Sequence, residues 1–271
     1  MSRLSAALLA LLLFPAPAQA AIADTAARLA GGEGVVYVVD AAGTVLAAHN
    51  ADRAFVPAST LKVITTLLAA ERMGLESHFA TEFWVDGDRL VVRGQGDPFL
   101  VSEELDLLAA ALAPRLQGFT LAGVTVDDSW FADDIEIPGV TATTEPYDAL
   151  NSATAVNFNT INVLVQNGVV SSAEAQTPIT PLAVEVAKRQ GIRSANRINI
   201  GKDVRDARRY AGELIAAKLR GVGVALGESV TNGKAPQTTP LYRHENSRTL
   251  GQVCEAMLLY SNNYIANQVF L

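Results

Sequence analysis

The feature that most restricts this chain is a lysine set inside an apolar run. Residues 56–74, Val-Pro-Ala-Ser-Thr-Leu-Lys-Val-Ile-Thr-Thr-Leu-Leu-Ala-Ala-Glu-Arg-Met-Gly, read as an extended lead-in, a helix and a glycine stop. Leu61, Ile64, Leu68 and Met73 recur near helical spacing, which predicts a buried helix. Ser59 stands at its start, and Lys62 follows one turn later on the same face. A serine hydroxyl is a poor nucleophile at neutral pH without a base beside it. A lysine can be that base only when its pKa is lowered, and burial in an apolar helix lowers it. Free N–H groups at the helix start would favour developing negative charge near Ser59. The same two residues also suit a plain helix cap beside a lysine that reaches out to water. A Ser-x-x-Lys match arises by chance about once in a chain this long, so the spacing alone leaves both readings open.

A second stretch bears on the choice. Tyr260-Ser261-Asn262-Asn263-Tyr264 sits between the apolar stretches 250–259 and 265–271. Polar residues wedged between buried helices need partners. A serine–lysine hydrolase needs a second hydroxyl to carry the proton to the leaving group and an amide to hold lysine and substrate. Ser261 and Asn263 fit those roles, and they also fit as caps in a helix–helix turn. Ser194-Ala195-Asn196 has the same Ser-x-Asn spacing among Arg193, Arg197 and Asn199, and is read as a solvated loop.

Ser59-Thr60-Leu61-Lys62 followed far downstream by Ser261-Asn262-Asn263 resembles the penicillin-binding proteins, specifically the class C low-molecular-mass D-Ala-D-Ala carboxypeptidase/endopeptidases. The long stretch between the two motifs is similar to that subfamily's insertion. So are Gly94-Gln95-Gly96-Asp97-Pro98, Val126-Asp127-Asp128-Ser129, Val156-Asn157-Phe158-Asn159-Thr160 and residues 260–268. The resemblance runs from about residue 34 to the last. It implies Ser59 as nucleophile, Lys62 as base, Ser261 as proton relay and Asn263 as the group that positions Lys62 and the substrate. It also implies peptidoglycan stem peptides and β-lactams as ligands, and no metal or cofactor. One departure is large: the family's third motif, Lys-Thr-Gly or His-Thr-Gly, is absent from the 271 residues. The expected fold is therefore α+β and multidomain. It would combine a penicillin-binding/β-lactamase-like transpeptidase domain, a helical cluster plus antiparallel sheet lacking its C-terminal strands, with a large β-rich insertion. The run Gln268-Val269-Phe270-Leu271 stops inside an apolar helix, which leads us to expect a piece of a longer reading frame.

Residues 1–20 read as a cleavable export signal: Arg3, an apolar run from Ala6 to Phe14 too short to span a bilayer, and the small-x-small site Ala18-Gln19-Ala20. The expected location is periplasmic, with no transmembrane segment in the mature chain. The expected domains are 21–76 with 240–271 as the discontinuous transpeptidase-like part and 77–239 as the insertion. With 49% hydrophobic and 18% charged residues the chain can bury a core. A net charge of −7 argues against a nucleic-acid partner. Cys254, the single cysteine, falls on the apolar face of a helix and is expected in the core.

Along the chain, 22–29 is a helix candidate, and 35–40 and 44–49 form a hairpin. A second hairpin turns on Asp86-Gly87-Asp88. Ser102 with Glu103 and Glu104 starts a helix, 123–128 and 160–166 are strands, and 131–152 is a long loop. Pro178 and Pro181 suggest an edge strand or connector. Asp203 caps an amphipathic helix reaching Leu219, with Arg205, Arg208, Arg209 and Arg220 on a solvated face. Residues 222–236 read as turns and 241–271 as long apolar helices.

His49, His78 and His244 lack metal spacing and read as surface or loop residues. Asp127 and Asp128 would point to opposite faces of a strand, and no phosphate loop, dinucleotide fingerprint or Gly-x-Ser-x-Gly elbow is present. The expected activity is serine-type D-Ala-D-Ala carboxypeptidase/endopeptidase action through an acyl-enzyme on Ser59. The alternative, prompted by the missing third motif, is a non-catalytic cell-wall binding or assembly protein on the same scaffold. A β-lactamase is a third reading, disfavoured by the insertion.

Overall fold

In the computed structural model, which describes residues 16–132, 135–141 and 143–271, the first element is α1 (Ala16–Ala30). It is followed by the antiparallel hairpin of β1 (Val36–Val39) and β2 (Val45–His49), in which Val36 pairs with His49. The turn is held by Asp40, whose Oδ1 accepts from the N–H groups of Ala42 and Thr44, each at 2.8 Å. Ala26 of α1 and Ala47 of β2 are buried. These elements belong to a unit that ends at Ala58; a second unit runs from Ser59 to Leu271. The apolar run at 6–14 and Arg3 lie outside the described residues, while 18–20 fall within α1.

The second unit opens on the last two residues of a 3-10 turn (Ala58–Thr60) and continues into α2 (Leu61–Met73), which Gly74 ends at φ +81°. Next come the hairpin β3 (His78–Asp86) and β4 (Arg89–Gly94), α3 (Ser102–Leu112) and β5 (Leu121–Asp127). Because α3 forms the crossover, β5 lies parallel to β4. A smaller sheet follows, β6 (Thr160–Gln166) flanked by β7 (Val169–Ser172) and β8 (Asn196–Asn199), with α4 (Pro181–Arg189) between the last two in sequence. The chain ends with α5 (Val204–Gly221), β9 (Leu226–Asn232), β10 (Tyr242–Thr249), α6 (Leu250–Leu259) and α7 (Asn263–Phe270). The fold is α+β. Its main sheet has the order β10-β3-β4-β5-β9, antiparallel at the β10 side and parallel at the β9 side. Alternate residues of this sheet, Phe83, Leu90, Val92, Val124 and Val126, pack into the main core with the apolar stripes of α3 and α5. A separate cluster joins α2, α6 and α7 through Ala69, Val253, Cys254, Met257 and Ile265.

Several expectations are corrected. Residues 242–249 form a strand, not a helix, and it joins β3 of the 77–239 block in one sheet. Its inward residues are His244 and Asn246, so the alternation exists but is polar. Residues 226–232, expected as turns, are a strand beside β5. Pro181 begins a helix: Thr180 caps it by accepting from the Ala183 N–H, and a proline at the first helical position lacks only a donor the helix would not use. Asn196 opens a strand instead of closing a solvated loop. Two arginines of α5 are paired instead of free in solvent: Arg209 bridges Glu185 and Glu213, and Arg208 faces Asp128, while Arg205 is exposed as expected. His244 is buried, its Nε2 2.8 Å from Glu104, which also accepts from the Ser247 N–H and hydroxyl. That carboxylate ties β10 to α3; burial raises its pKa and these donors hold it down, with a net lowering.

Helix α2 is the largest correction. Leu61, Ile64 and Leu68 are each about half exposed (54%, 50% and 46%), and its buried residues are Lys62 and Ala69. The face turned toward α6 and α7 carries positions 62, 66 and 69, so the apolar stripe read from the sequence is not the face that packs.

Candidate active site

Four side chains from two distant segments meet at the N-terminal end of α2. Ser59 lies in the 3-10 turn before the helix, just after Ala58, whose φ of +47° is unusual for a residue with a Cβ. Ser59 is not the helix cap, because Thr60 occupies that position. Lys62, the second residue of α2, points its amine back across one turn to Ser59 Oγ at 3.0 Å. From the other segment, Ser261 sits in the turn between α6 and α7, itself left-handed at φ +51°. The Tyr260 N–H closes α6 by donating to Ala256 O at 3.1 Å, and Asn262 caps α7 through the Ile265 N–H, so both helix ends flanking the turn are fixed. The Ser261 hydroxyl donates to Ser59 Oγ at 2.8 Å. Lys62 Nζ reaches Asn263 Oδ1 at 2.7 Å and Ser261 Oγ at 3.5 Å.

Burial divides this group. Lys62 is 6% exposed, while Ser59, Ser261 and Asn263 are open to solvent. Loss of water around the amine lowers the Lys62 pKa, and the three groups that meet it are all uncharged. Neutral lysine has two N–H donors and one lone pair. With the donors on Asn263 and Ser261, the lone pair faces Ser59, whose proton it can take. The Ser261 hydroxyl touches both Ser59 Oγ and the Lys62 amine, which is the position a proton relay requires.

Behind the turn, α7 rests on residues 151–159, which overlap the end of the expected long loop and the resembling stretch Val156–Thr160. Asn151 Nδ2 donates to Tyr264 O at 3.1 Å and to Gln268 Oε1 at 2.7 Å, and Gln268 Nε2 donates to Ser152 O at 2.7 Å. Three consecutive residues, Asn157, Phe158 and Asn159, hold φ values of +48°, +61° and +50°. Such a run costs about 1 kcal/mol or more per residue and persists only where its surroundings fix it. No spacing rule marks Asn151 or Gln268; the left-handed run is foreshadowed only by two asparagines, which tolerate that region. The other Ser-x-Asn match, Ser194 to Asn196, leads into β8 and is not part of this group.

The sequence matches the family described as D-Ala-D-Ala carboxypeptidase 3 (S13) over residues 18–271. Over 122 residues it is 32% identical to a D-alanyl-D-alanine carboxypeptidase of Actinomadura sp. (strain R39), covering 42% of this chain and 23% of that relative. The fold is similar to the crystal structure of penicillin-binding protein 4 (dacB) from Haemophilus influenzae, with a TM-score of 0.67 and 20% identity over 92% of this chain and 64% of the other. It is also similar to that protein complexed with a β-lactam, with a TM-score of 0.58 and 19% identity over 87% of this chain and 59% of the other. The chain thus spans less than two thirds of the length of the proteins it matches.

Proposed function

Because the chain belongs to the D-Ala-D-Ala carboxypeptidase 3 (S13) family, we propose that it carries the nucleophilic half of a serine-type D-Ala-D-Ala carboxypeptidase/endopeptidase acting on peptidoglycan stem peptides. The observation that supports this most is the buried, uncharged-neighbour amine of Lys62 at 3.0 Å from Ser59 Oγ, bridged by Ser261. Ser59 Oγ attacks the carbonyl carbon of the D-Ala-D-Ala bond while Lys62 takes its proton. As the C–N bond breaks, the proton passes through the Ser261 hydroxyl to the leaving amine, and the acyl group stays on Ser59 as an ester. Water hydrolyses that ester, its proton returning through the same amine, and Ser59 is restored. Asn263 holds Lys62 through Oδ1 and offers its amide to the substrate. β-Lactams would acylate Ser59 by opening their ring in the same attack.

Export to the periplasm belongs to this reading and rests on the composition of the first twenty residues. Among the described residues, no helix is long and apolar enough to cross a membrane. The test is release of D-alanine from a stem pentapeptide by the purified protein and by Ser59→Ala. Release that disappears with Ser59→Ala supports the reading. Binding to peptidoglycan without release, unchanged by Ser59→Ala, would favour the non-catalytic cell-wall protein instead.

A further inference from the structure

The segment 151–159 is built more tightly than a connecting loop needs to be. At one end it is fixed to the rim of the main sheet. The Thr154 N–H donates to Asp128 Oδ1 at 2.7 Å, its hydroxyl to Asp127 O at 2.8 Å, and the Gly94 N–H donates back to Thr154 Oγ1 at 2.8 Å. At the other end, Asn157 exchanges hydrogen bonds with Ser102 of α3, from Ser102 N at 2.8 Å and to Ser102 Oγ at 2.9 Å. Asn159 Nδ2 ties the segment to itself through Leu150 O and Ser152 Oγ. On either side of the Thr154 and Asn157 anchors, one side chain faces α7. Asn151 gives both amide protons to it, while among the described residues its own buried Oδ1 meets no partner. Phe158, at the centre of the left-handed run, meets Phe99 and Tyr264 edge to face, with centroids 5.5 and 5.8 Å away. Tyr264 follows Asn263 directly, so whatever fixes the Tyr264 carbonyl and ring also fixes the turn that brings Ser261 and Asn263 to Lys62.

We propose that Asn151 and Phe158 are positioning residues for the reaction centre, holding the first turn of α7 so that Ser261 and Asn263 stay within hydrogen-bond reach of Ser59 and Lys62. This rests on the catalytic reading above for its consequence and on the contacts alone for its mechanics. A general fold-stabilising role does not explain the arrangement by itself: an amide whose acceptor is left unpaired is a poor core residue, yet its two donors match the two acceptors α7 presents. Displacing a reacting group by about 1 Å can cost about 100-fold in rate, so a hold on one helical turn has a large effect on chemistry and a small one on the fold.

Two measurements on the purified protein test this. The first is amide hydrogen exchange in wild type, Asn151→Ala and Phe158→Leu. Protection of residues 261–266 should fall at least tenfold in each variant while α5 is unchanged; an equal fall everywhere, or none, overturns the proposal. This holds even if the wild type takes no penicillin label, an outcome that would sink the catalytic reading alone. The second is acylation by a fluorescent penicillin across pH. Asn151→Ala should acylate 10- to 100-fold more slowly, with the rising limb of its pH profile moved to higher pH, because a looser α7 readmits water around an amine whose hydrogen-bond partners, Ser59, Ser261 and Asn263, are all uncharged. Asn151→Asp, which meets the Tyr264 carbonyl with an acceptor, should be slower still. Rates that fall only in proportion to the unfolded fraction, with the limb unmoved, contradict the assignment.

Discussion

Replacing Lys62 with methionine separates chemistry from stability more cleanly than any other change at this site. Methionine keeps the length and apolar stem of the side chain and removes the amine. Three contacts are lost, to Ser59 at 3.0 Å, Ser261 at 3.5 Å and Asn263 at 2.7 Å. Each such hydrogen bond stabilises by about 0.5–1.5 kcal/mol net. All three partners are solvent-exposed and can bond to water instead. Against that loss, methionine ends the burial of an ionisable amine that is 6% exposed. The two effects offset, and the net change should fall within about 1–2 kcal/mol of zero, a melting shift of a few degrees in either direction for a chain of this size. The chemistry has no such compensation: loss of a positioned base costs about 10²–10⁴ in rate. The assay is the second-order acylation rate by a fluorescent penicillin, run beside a thermal melt. Acylation within tenfold of wild type would refute the role of the amine. A melt lowered by more than about 10 °C would show that Lys62 is chiefly structural, and would equally defeat the reasoning.

Acylation needs neutral Lys62, so its rate should climb with pH and level off above a pKa that burial places below the ordinary 10.5. Between that folded-state pKa and 10.5 the unfolded chain binds a proton that the folded chain does not, so stability should rise with pH across the window. Urea midpoints should therefore show a slope in wild type that Lys62→Met lacks. Gly94→Ala should lower stability by about 2–3 kcal/mol, measured by urea unfolding. A Cβ there would stand 2.3 Å from Ala153 O, and relieving it breaks the 2.8 Å bond to Thr154. Glu104→Leu should cost about 3 kcal/mol or more in the same assay, because His244 Nε2 and the Ser247 N–H then lose the buried acceptor they share.

The local elements were legible where a physical signal is local. The hairpin around Gly43, the hairpin at Asp86-Gly87, the α3 start at Ser102 and the Asp203 cap of α5 all follow from turn chemistry or periodicity. Strand β10 was not, because its buried positions carry histidine and asparagine, and their burial is made tolerable by Glu104 and Asp97 more than a hundred residues away. Helix α2 misled for the opposite reason: its leucines suggest an inward face, but the side that packs is chosen by α6 and α7 and carries the lysine. Motif spacing names Ser59, Lys62, Ser261 and Asn263 one segment at a time. That they stand within hydrogen-bond reach is a property of the cluster joining α2, α6 and α7, which no local pattern encodes. Asn151 carries no sequence signal at all, since its function depends only on what lies opposite it.

Everything proposed for this site requires that the hydroxyl at position 59 be activated by the amine at 62. Mass spectrometry of trypsin-digested protein after reaction with a β-lactam tests it most directly. Cleavage after Arg53 and Lys62 isolates residues 54–62, in which Ser59 and Thr60 are the only hydroxyl-bearing side chains. One β-lactam adduct is expected on that peptide, fragmenting to Ser59, absent from the same peptide of Ser59→Ala and absent from residues 54–72, the longer tryptic peptide that Lys62→Met yields because its cleavage site is gone. An adduct carried by another residue, or one that survives in Lys62→Met at the wild-type rate, would contradict it.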